Sequence, residues 1–309
     1  VFSDRNSELW RDDFWFDAAT SEYESIMIPL KIATCRPLPE PDVDEPLLLD
    51  ALRKAGIDAR LTPWRDDIDS IESIPTIVRS TWDYIHQADD FLRWAEAASM
   101  RAPLWNPIDI IRRNTHKGYL LEMQSRGIPV TPTILANRGD QRTLGEIVAD
   151  SRWMDVVIKP AVGAGSFETH RLRVDEPSSN DIFSKLCAVR DVLIQPYLVS
   201  VEGHGERALV WIDGEFTHAV RKSPRFADGT ESVSEALPIS TAELALGHAA
   251  LRDIADQLLY ARVDVAPGLD GIPMLMELEL IEPSLFLLQN PHALQRLVDG
   301  IGRRLRSAA

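Results

Sequence analysis

The sequence predicts an α/β protein that opens with a parallel sheet, and three observations predict it. Short apolar strands alternate with amphipathic helices over the first third of the chain. Two buried apolar strands, in "VVIKP" and "VLIQP", punctuate the middle. The last third holds a strong hairpin signal, Asp213-Gly214, and a strand that carries paired acids between aliphatic residues.

The 309 residues suffice for two or three packed units, and 45% hydrophobic with 26% charged residues is ordinary globular composition. A formal net charge of −15 argues against nucleic acid or an anionic membrane as main partner, because both would be repelled. Any phosphate must therefore be met by a local cluster of cations. Cys35 and Cys187 lie far apart without metal spacing, and no apolar run approaches a membrane span, so a reduced, cytoplasmic protein is expected.

Residues 1–27 are acidic and lack the basic and apolar regions of a secretory signal; they are read as an extension of no specified structure. Thereafter "PLKIATC" reads as a strand, "DEPLLLDALRKAGI" as an amphipathic helix closed by Gly56, and "DARLTPW" as a returning strand. "SIPTIVRSTWDY" and "ADDFLRWAEAASM" repeat the scheme, which ends near "LWNP". Ser80, Thr81 and Asp83, with Arg79, lie at a strand end, where ligands of open sheets bind; otherwise this loop serves to pack Trp82 and Tyr84.

In "RRNTHKGYLLEMQSRGIPVTPT", Asn114 or Thr115 is the expected N-cap of a helix that stops at Gly127. Arg112, Arg113 and Lys117 then crowd a helix N-terminus, where an exposed cation costs roughly 0.3–1 kcal/mol. Either the charges are tolerated at the surface, or an external anion completes the site. Lys159 ends the strand "VVIK" and precedes a loop of small residues from Ala161 to Ser166. The loop is no Walker A motif, yet its free N–H groups beside a fixed ammonium could cover phosphates.

"RALVWIDGEFTHAVRK" is the hairpin. A two-residue turn sets Ile212 opposite Glu215, Arg207 opposite Val220 and Glu206 opposite Arg221, which makes Arg207 and Lys222 diagonal neighbours on one face. Adjacent cations repel, so either an anion lies between them or the face is solvated. In "MLMELELIEPS", alternation places Met274, Met276, Leu278 and Leu280 on a core face and Leu275, Glu277, Glu279 and Ile281 on the other.

In order and spacing, Lys117, "VVIKP" with its loop, "QPYL", "GERALVWIDGEFTHAVRKSP" and "ARVDVAPGLDGIPMLMELELIEPS" resemble the ATP-grasp superfamily, close to its glutathione-synthetase-like branch, over roughly residues 28–305. "STWDY", "LWN" and "ELELIEPSLFL" are similar to the group containing the O-ureidoserine cyclo-ligase that forms the antibiotic cycloserine. The resemblance implies an α+β ATP-grasp fold: an N-terminal domain over residues 28–110, a central lid subdomain over 111–192 and a C-terminal subdomain over 193–309, the last two clamping ATP.

It also implies roles. Lys117 and Lys159 match the phosphate lysines, and Gly163, Gly165 and Ser166 the lid. Gln195, Tyr197 and Leu198 match the adenine side, with Glu206 or its rival Glu202 on the ribose. Asp264, Glu277 and Glu279 match ligands of Mg²⁺, two ions being expected, and Arg207 and Lys222 match catalytic cations. Ser80, Thr81, Asp83, Arg221 and Glu282 remain for the substrate, an amino acid or derivative. Glu279 departs from the Asn of many relatives, but either side chain offers oxygen; Arg113 stands where closer relatives carry an aromatic. A homodimer is common in the branch.

Carboxylates at i and i+2 on a strand lie about 7 Å apart and repel by ~2 kcal/mol at an effective dielectric near 20. A hard divalent cation resolves that conflict. The implied reaction is phosphorylation of a substrate carboxylate to an acyl phosphate, then displacement of phosphate by a nitrogen nucleophile, between two molecules or by ring closure. A phosphotransferase and a non-catalytic ATP-binding module are the alternatives.

Overall fold

The computed structural model describes residues 27–223 and 232–308. The expected extension, residues 1–27, lies outside them but for Met27. Strands β1 (Ile28–Thr34), β2 (Ile57–Pro63), β3 (Thr76–Ser80) and β4 (Leu104–Trp105) form a parallel sheet in the order β2-β1-β3-β4. Parallel pairing requires crossovers, which helices Glu45–Lys54 and Ala88–Arg101 supply on opposite faces. The first packs Leu48 and Leu52 on Leu30 and Ile32; the second packs Phe91, Trp94 and Ala95 on Ala33 and Val78. Covered on both sides, β3 is buried along its whole length. Gly56, at φ +76°, ends the first helix one residue before β2.

Strands β5 (Ile134–Ala136), β6 (Asp155–Pro160), β7 (His170–Arg173) and β8 (Val192–Pro196) form an antiparallel sheet in the order β5-β8-β6-β7. Because β8 hydrogen-bonds to both β5 and β6, a boundary after residue 192 would cut this sheet, and the division belongs beyond Pro196. The third sheet, ordered β10-β9-β11-β12, is built from β9 (Glu206–Ile212), β10 (Glu215–Lys222), β11 (Tyr260–Pro267) and β12 (Pro273–Glu279). Ala208, Val210 and Ile212 of β9 share one core with β1 and with Leu297, Ile301 and Leu305 of the terminal helix Pro291–Ala308. That core fixes the third sheet against the first.

Two bulges correct the expected faces. At Thr217 in β10 the register shifts by one residue, so Arg221 stands opposite Arg207 and Lys222 opposite Glu206. Lys222 and Arg207 therefore point to opposite sides. In β12, Asp264 pairs with Glu277 but Val265 with Leu275, which leaves Met276 as the extra residue. Leu275 joins Leu278 and Leu280 in the core, whereas Met274 and Met276 are only partly buried. Ile281 packs in the core under the parallel sheet.

The expected helix start at Asn114 or Thr115 is also corrected. Helix Ile108–Thr115 ends there, placing Arg112 and Arg113 in its last turn, where the dipole favours cations. Arg112 meets Asp109 and Glu96, and Arg113 meets Glu122. Asn114 instead spends its amide on β12, donating to the Leu278 carbonyl at 2.8 Å and accepting from the Leu280 N–H at 2.9 Å. Helix Tyr119–Ser125 then runs to Gly127, at φ +76°. Both cysteines are free and buried, and among the described residues no helix is long and apolar enough to cross a membrane.

Candidate active site

The three sheets enclose a cavity of about 680 Å³. The parallel-sheet unit contributes Trp82, Asp83 and His86 to its wall; the central sheet contributes Lys159 and Gln195, the loops after β6 and β8 contribute Gly163, Gly165, Ser166, Tyr197 and Leu198, and Lys117 enters from the link before helix Tyr119–Ser125. Glu206, Lys222, Asp264, Glu277 and Glu279 of the third sheet face them, with Glu282 beyond β12.

Lys117 is placed by a backbone network. Its N–H donates to the Ala161 carbonyl at 2.7 Å, and the Ala161 N–H donates to Asp191 at 2.9 Å. The adjoining His116 lies 3.1 Å from the Asp191 carboxylate and accepts from the Gly118 N–H at 3.0 Å. The Lys117 ammonium reaches the Gly163 carbonyl at the base of the loop after β6 and Glu277 at 2.9 Å. Lys159 approaches the other oxygen of Glu277 at 3.5 Å. Both lysines thus share one carboxylate.

The bulge at Thr217 turns Lys222 inward, 2.8 Å from Asp264 and 2.5 Å from Glu206. The same shift turns Arg207 outward, where its guanidinium binds Glu243 at 2.9 Å and the Pro238 carbonyl at 2.7 Å. Arg207 does not line the cavity, and its expected catalytic place is corrected. Arg262 stands there instead: it donates twice to Asp264 at 2.8 Å and also binds Glu279. The signal was in "ARVDV", since alternation places Arg262 on the face of Asp264, two residues on.

Other expected residues also fall outside. Arg221 is exposed opposite Arg207, and Glu202 is held at the surface by Tyr197 and Arg171, each at 2.8 Å. Ser80 is buried against Thr34 at 2.9 Å, and Thr81 is fully buried. Asp83 does face the cavity, yet Trp64 and Arg65 each donate to it at 2.7 Å. Besides Arg262, the sequence reading missed Met276, exposed to the cavity by its bulge, and the ring pair of His86 and Phe167. Nothing local marks either one.

Electrostatics separate these acids. Burial pushes the carboxyl of Glu206 up to about 8, against the pull of Lys222. Burial likewise raises Glu279 to about 7 despite Arg262, and Glu282 to about 8 with Glu279 adding repulsion. Burial opposes ionisation of Asp264 too, but Arg262 and Lys222 outweigh it and hold that carboxyl well below the usual range. For Glu277, Lys117 and Lys159 similarly overcome burial. Burial and Arg262 press Lys222 down, but Asp264 and Glu206 raise it.

Asp264, Glu277 and Glu279 suit a hard cation chemically: oxygen donors only, with Asp264 and Glu277 cross-strand partners and Glu279 two residues on. Each is turned onto a lysine or arginine, and among the described residues no three such side chains converge as a ligand group. The donor set fits Mg²⁺ in type. The cations now on it are the groups that triphosphate oxygens can attract away.

Residues 30–106 match the family model of the D-cycloserine synthetase DcsG N-terminal domain. The cycloserine biosynthesis protein DcsG of Streptomyces lavendulae is 31% identical over 284 residues, covering 86% of this chain and 95% of the relative. The crystal structure of D-cycloserine synthetase DcsG superposes with a TM-score of 0.79 at 31% identity, over 90% of this chain and 99% of that one. The ATP-grasp ligase PsnB, complexed with minimal precursor, Mg and ADP, shares the fold at a TM-score of 0.59 and 17% identity, over 90% and 98% of the chains.

Proposed function

The chain belongs to the D-cycloserine synthetase DcsG family of ATP-grasp ligases, and from that premise we propose that it uses ATP to form a carbon–nitrogen bond by ring closure within an amino acid derivative. The observation that carries this reading is the single cavity in which Lys117, Lys159, Lys222 and Arg262 meet Asp264, Glu277 and Glu279. A cation cluster that shares its carboxylates can exchange them for triphosphate oxygens while a divalent cation takes the carboxylates, so that no buried charge is stranded.

ATP lies with its adenine by Gln195, Tyr197 and Leu198, its ribose by Glu206 and its phosphates by Lys117 and Lys159. Asp264, Glu277 and Glu279 are the residues to hold Mg²⁺, two ions in this reading, which neutralise triphosphate charge when bound. The substrate carboxylate takes the γ-phosphoryl group and ADP leaves. The substrate nitrogen then attacks the acyl carbon and gives up a proton, the bond to phosphate breaks, and inorganic phosphate departs. Arg262 and Lys222 stabilise the charge that develops on the transferring group and on the acyl oxygen. Glu282 faces the amino group of the substrate, and Gly163 to Ser166 cover the phosphates.

The test is nucleotide release from MgATP with pools of amino acids and small carboxylates, O-ureidoserine included, and Glu277→Gln as control. ADP and phosphate appearing with one pool, and lost in the control, is the expected result. AMP and pyrophosphate would mean an adenylate route and overturn the acyl-phosphate reading.

A further inference from the structure

We propose that Phe167 is the water seal of the reaction chamber, latched by His86 across the gap between the loop after β6 and the parallel-sheet unit. The proposal rests on the ligase reading above and names the residues that keep its intermediate from water. Phe167 is the one aromatic residue in "AVGAGSFETH", a loop otherwise built mainly from small or polar side chains. Its ring meets His86 edge to face, with centroids 5.1 Å apart and planes at 88°. The Arg190 guanidinium lies 5.3 Å from the same ring and pairs with the neighbouring Glu168 at 3.3 Å. Phe167 therefore touches the parallel-sheet unit through His86 and the central unit through Arg190. His86 and Phe167 also both line the cavity, beside Trp82 and Asp83.

The backbone bears the same reading. Ser166 at φ 62° and Glu168 at φ 47° flank Phe167, both in the left-handed region that L side chains rarely adopt. Such a conformation persists where surrounding contacts over-determine it. Here those contacts are the two flanking groups and the turn bonds from Phe167 N to Ala164 O and from Thr169 N to Ser166 O. The loop spends its strain on aiming one apolar ring at the domain opposite.

The chemistry gives the ring its task. If water reaches the acyl phosphate, its oxygen bonds to the acyl carbon, the bond to phosphate breaks and the water gives up a proton. The substrate carboxylate and inorganic phosphate return, so ATP is consumed with no product. An apolar plug at the chamber mouth suppresses that leak.

The experiment counts ADP released per product formed, in ¹⁸O-water, for the wild-type enzyme, Phe167→Ala, His86→Ala and His86→Phe, using the acceptor found in the screen. The wild-type enzyme is expected to form one product per ADP. Phe167→Ala and His86→Ala are expected to release about 3 or more ADP per product, with ¹⁸O in the recovered acceptor carboxylate. His86→Phe, which keeps a ring for the contact, is expected to stay near one. Variants that are slower yet remain tightly coupled overturn the proposal, as does label confined to phosphate with ADP release that persists when the acceptor is left out, which means direct attack on ATP. A wild-type enzyme that releases no ADP with any acceptor overturns the ligase reading itself.

Discussion

Two groups of buried charges in this molecule are built on opposite plans. Beneath the parallel sheet, Lys31 is 1% exposed, donates to both oxygens of Asp67 at 2.8 and 2.7 Å, and leaves Trp94 to donate a third bond at 3.1 Å. One cation meets one anion and the group is closed. In the cavity, Glu277 serves two lysines, Lys222 serves two acids and Arg262 divides itself between Asp264 and Glu279. The Glu282 carboxylate has no hydrogen-bond or ion-pair partner among the described residues, though it lines the cavity. A matched pair belongs to the fold. A shared set can trade a partner for a ligand's charge, and that difference separates structure from chemistry.

The largest effect expected from breaking the comparison is on the closed pair. Lys31→Met strands Asp67 in an apolar core, and a buried pair broken on one side loses about 3–5 kcal/mol. Denaturant unfolding should show that loss, while turnover per folded molecule stays unchanged. A drop in turnover equal to that of a cavity variant would merge the two groups and end the distinction.

In the cavity the signs reverse. Arg262→Met should lower turnover ~10²–10³-fold, the effect of deleting one donor aimed at developing charge. Its melting temperature should move far less than that of Lys31→Met, because Lys222 still holds Asp264. Steady-state ADP release beside a thermal melt tests both halves. An Arg262→Met enzyme at full speed would remove that residue from the mechanism.

His218 adds a third kind of buried group, one kept uncharged. Burial pushes its imidazole down from 6.5 to about 4, against an opposing interaction with the Phe286 backbone; Thr217 lies 2.9 Å from Nδ1. The folded state therefore binds its proton later than the unfolded state as pH falls. His218 contributes its stability fully above pH 6.5 and loses it progressively down to about pH 4, some 3 kcal/mol in all. The stability of wild type relative to His218→Phe should fall as pH drops through that window; a constant difference would show that the imidazole titrates alike in the folded and unfolded states.

The sequence carried the elements well and the faces less well. The alternation of β1 to β4 with their helices was legible because both faces of a covered sheet demand apolar strands. Lys117 was legible as a cation at a helix N-terminus, and Lys159, Glu277 and Glu279 because charged groups on largely apolar strands need partners. The bulges at Thr217 and Met276 were not, since neither position carries a glycine or another residue that a bulge requires. Asn114 was misread because it looks like a cap, while its partners, Leu278 and Leu280, lie more than 160 residues away. Local pattern names an element; only distant contacts decide which way its side chains turn.

The smallest effect tests that last step. Arg207 reads from the hairpin as the equal of Lys222, but the bulge sends it to Glu243, which also caps helix Thr241–Leu251 through the Ser240 N–H at 2.8 Å. Arg207→Ala should therefore loosen that cap and cost about 1 kcal/mol of stability. Turnover should change less than about threefold, because no group that faces the phosphates is lost. An Arg207→Ala enzyme as impaired as Arg262→Met would mean that β10 pairs in the unbulged register when substrate is bound. The cations of the hairpin would then belong together after all.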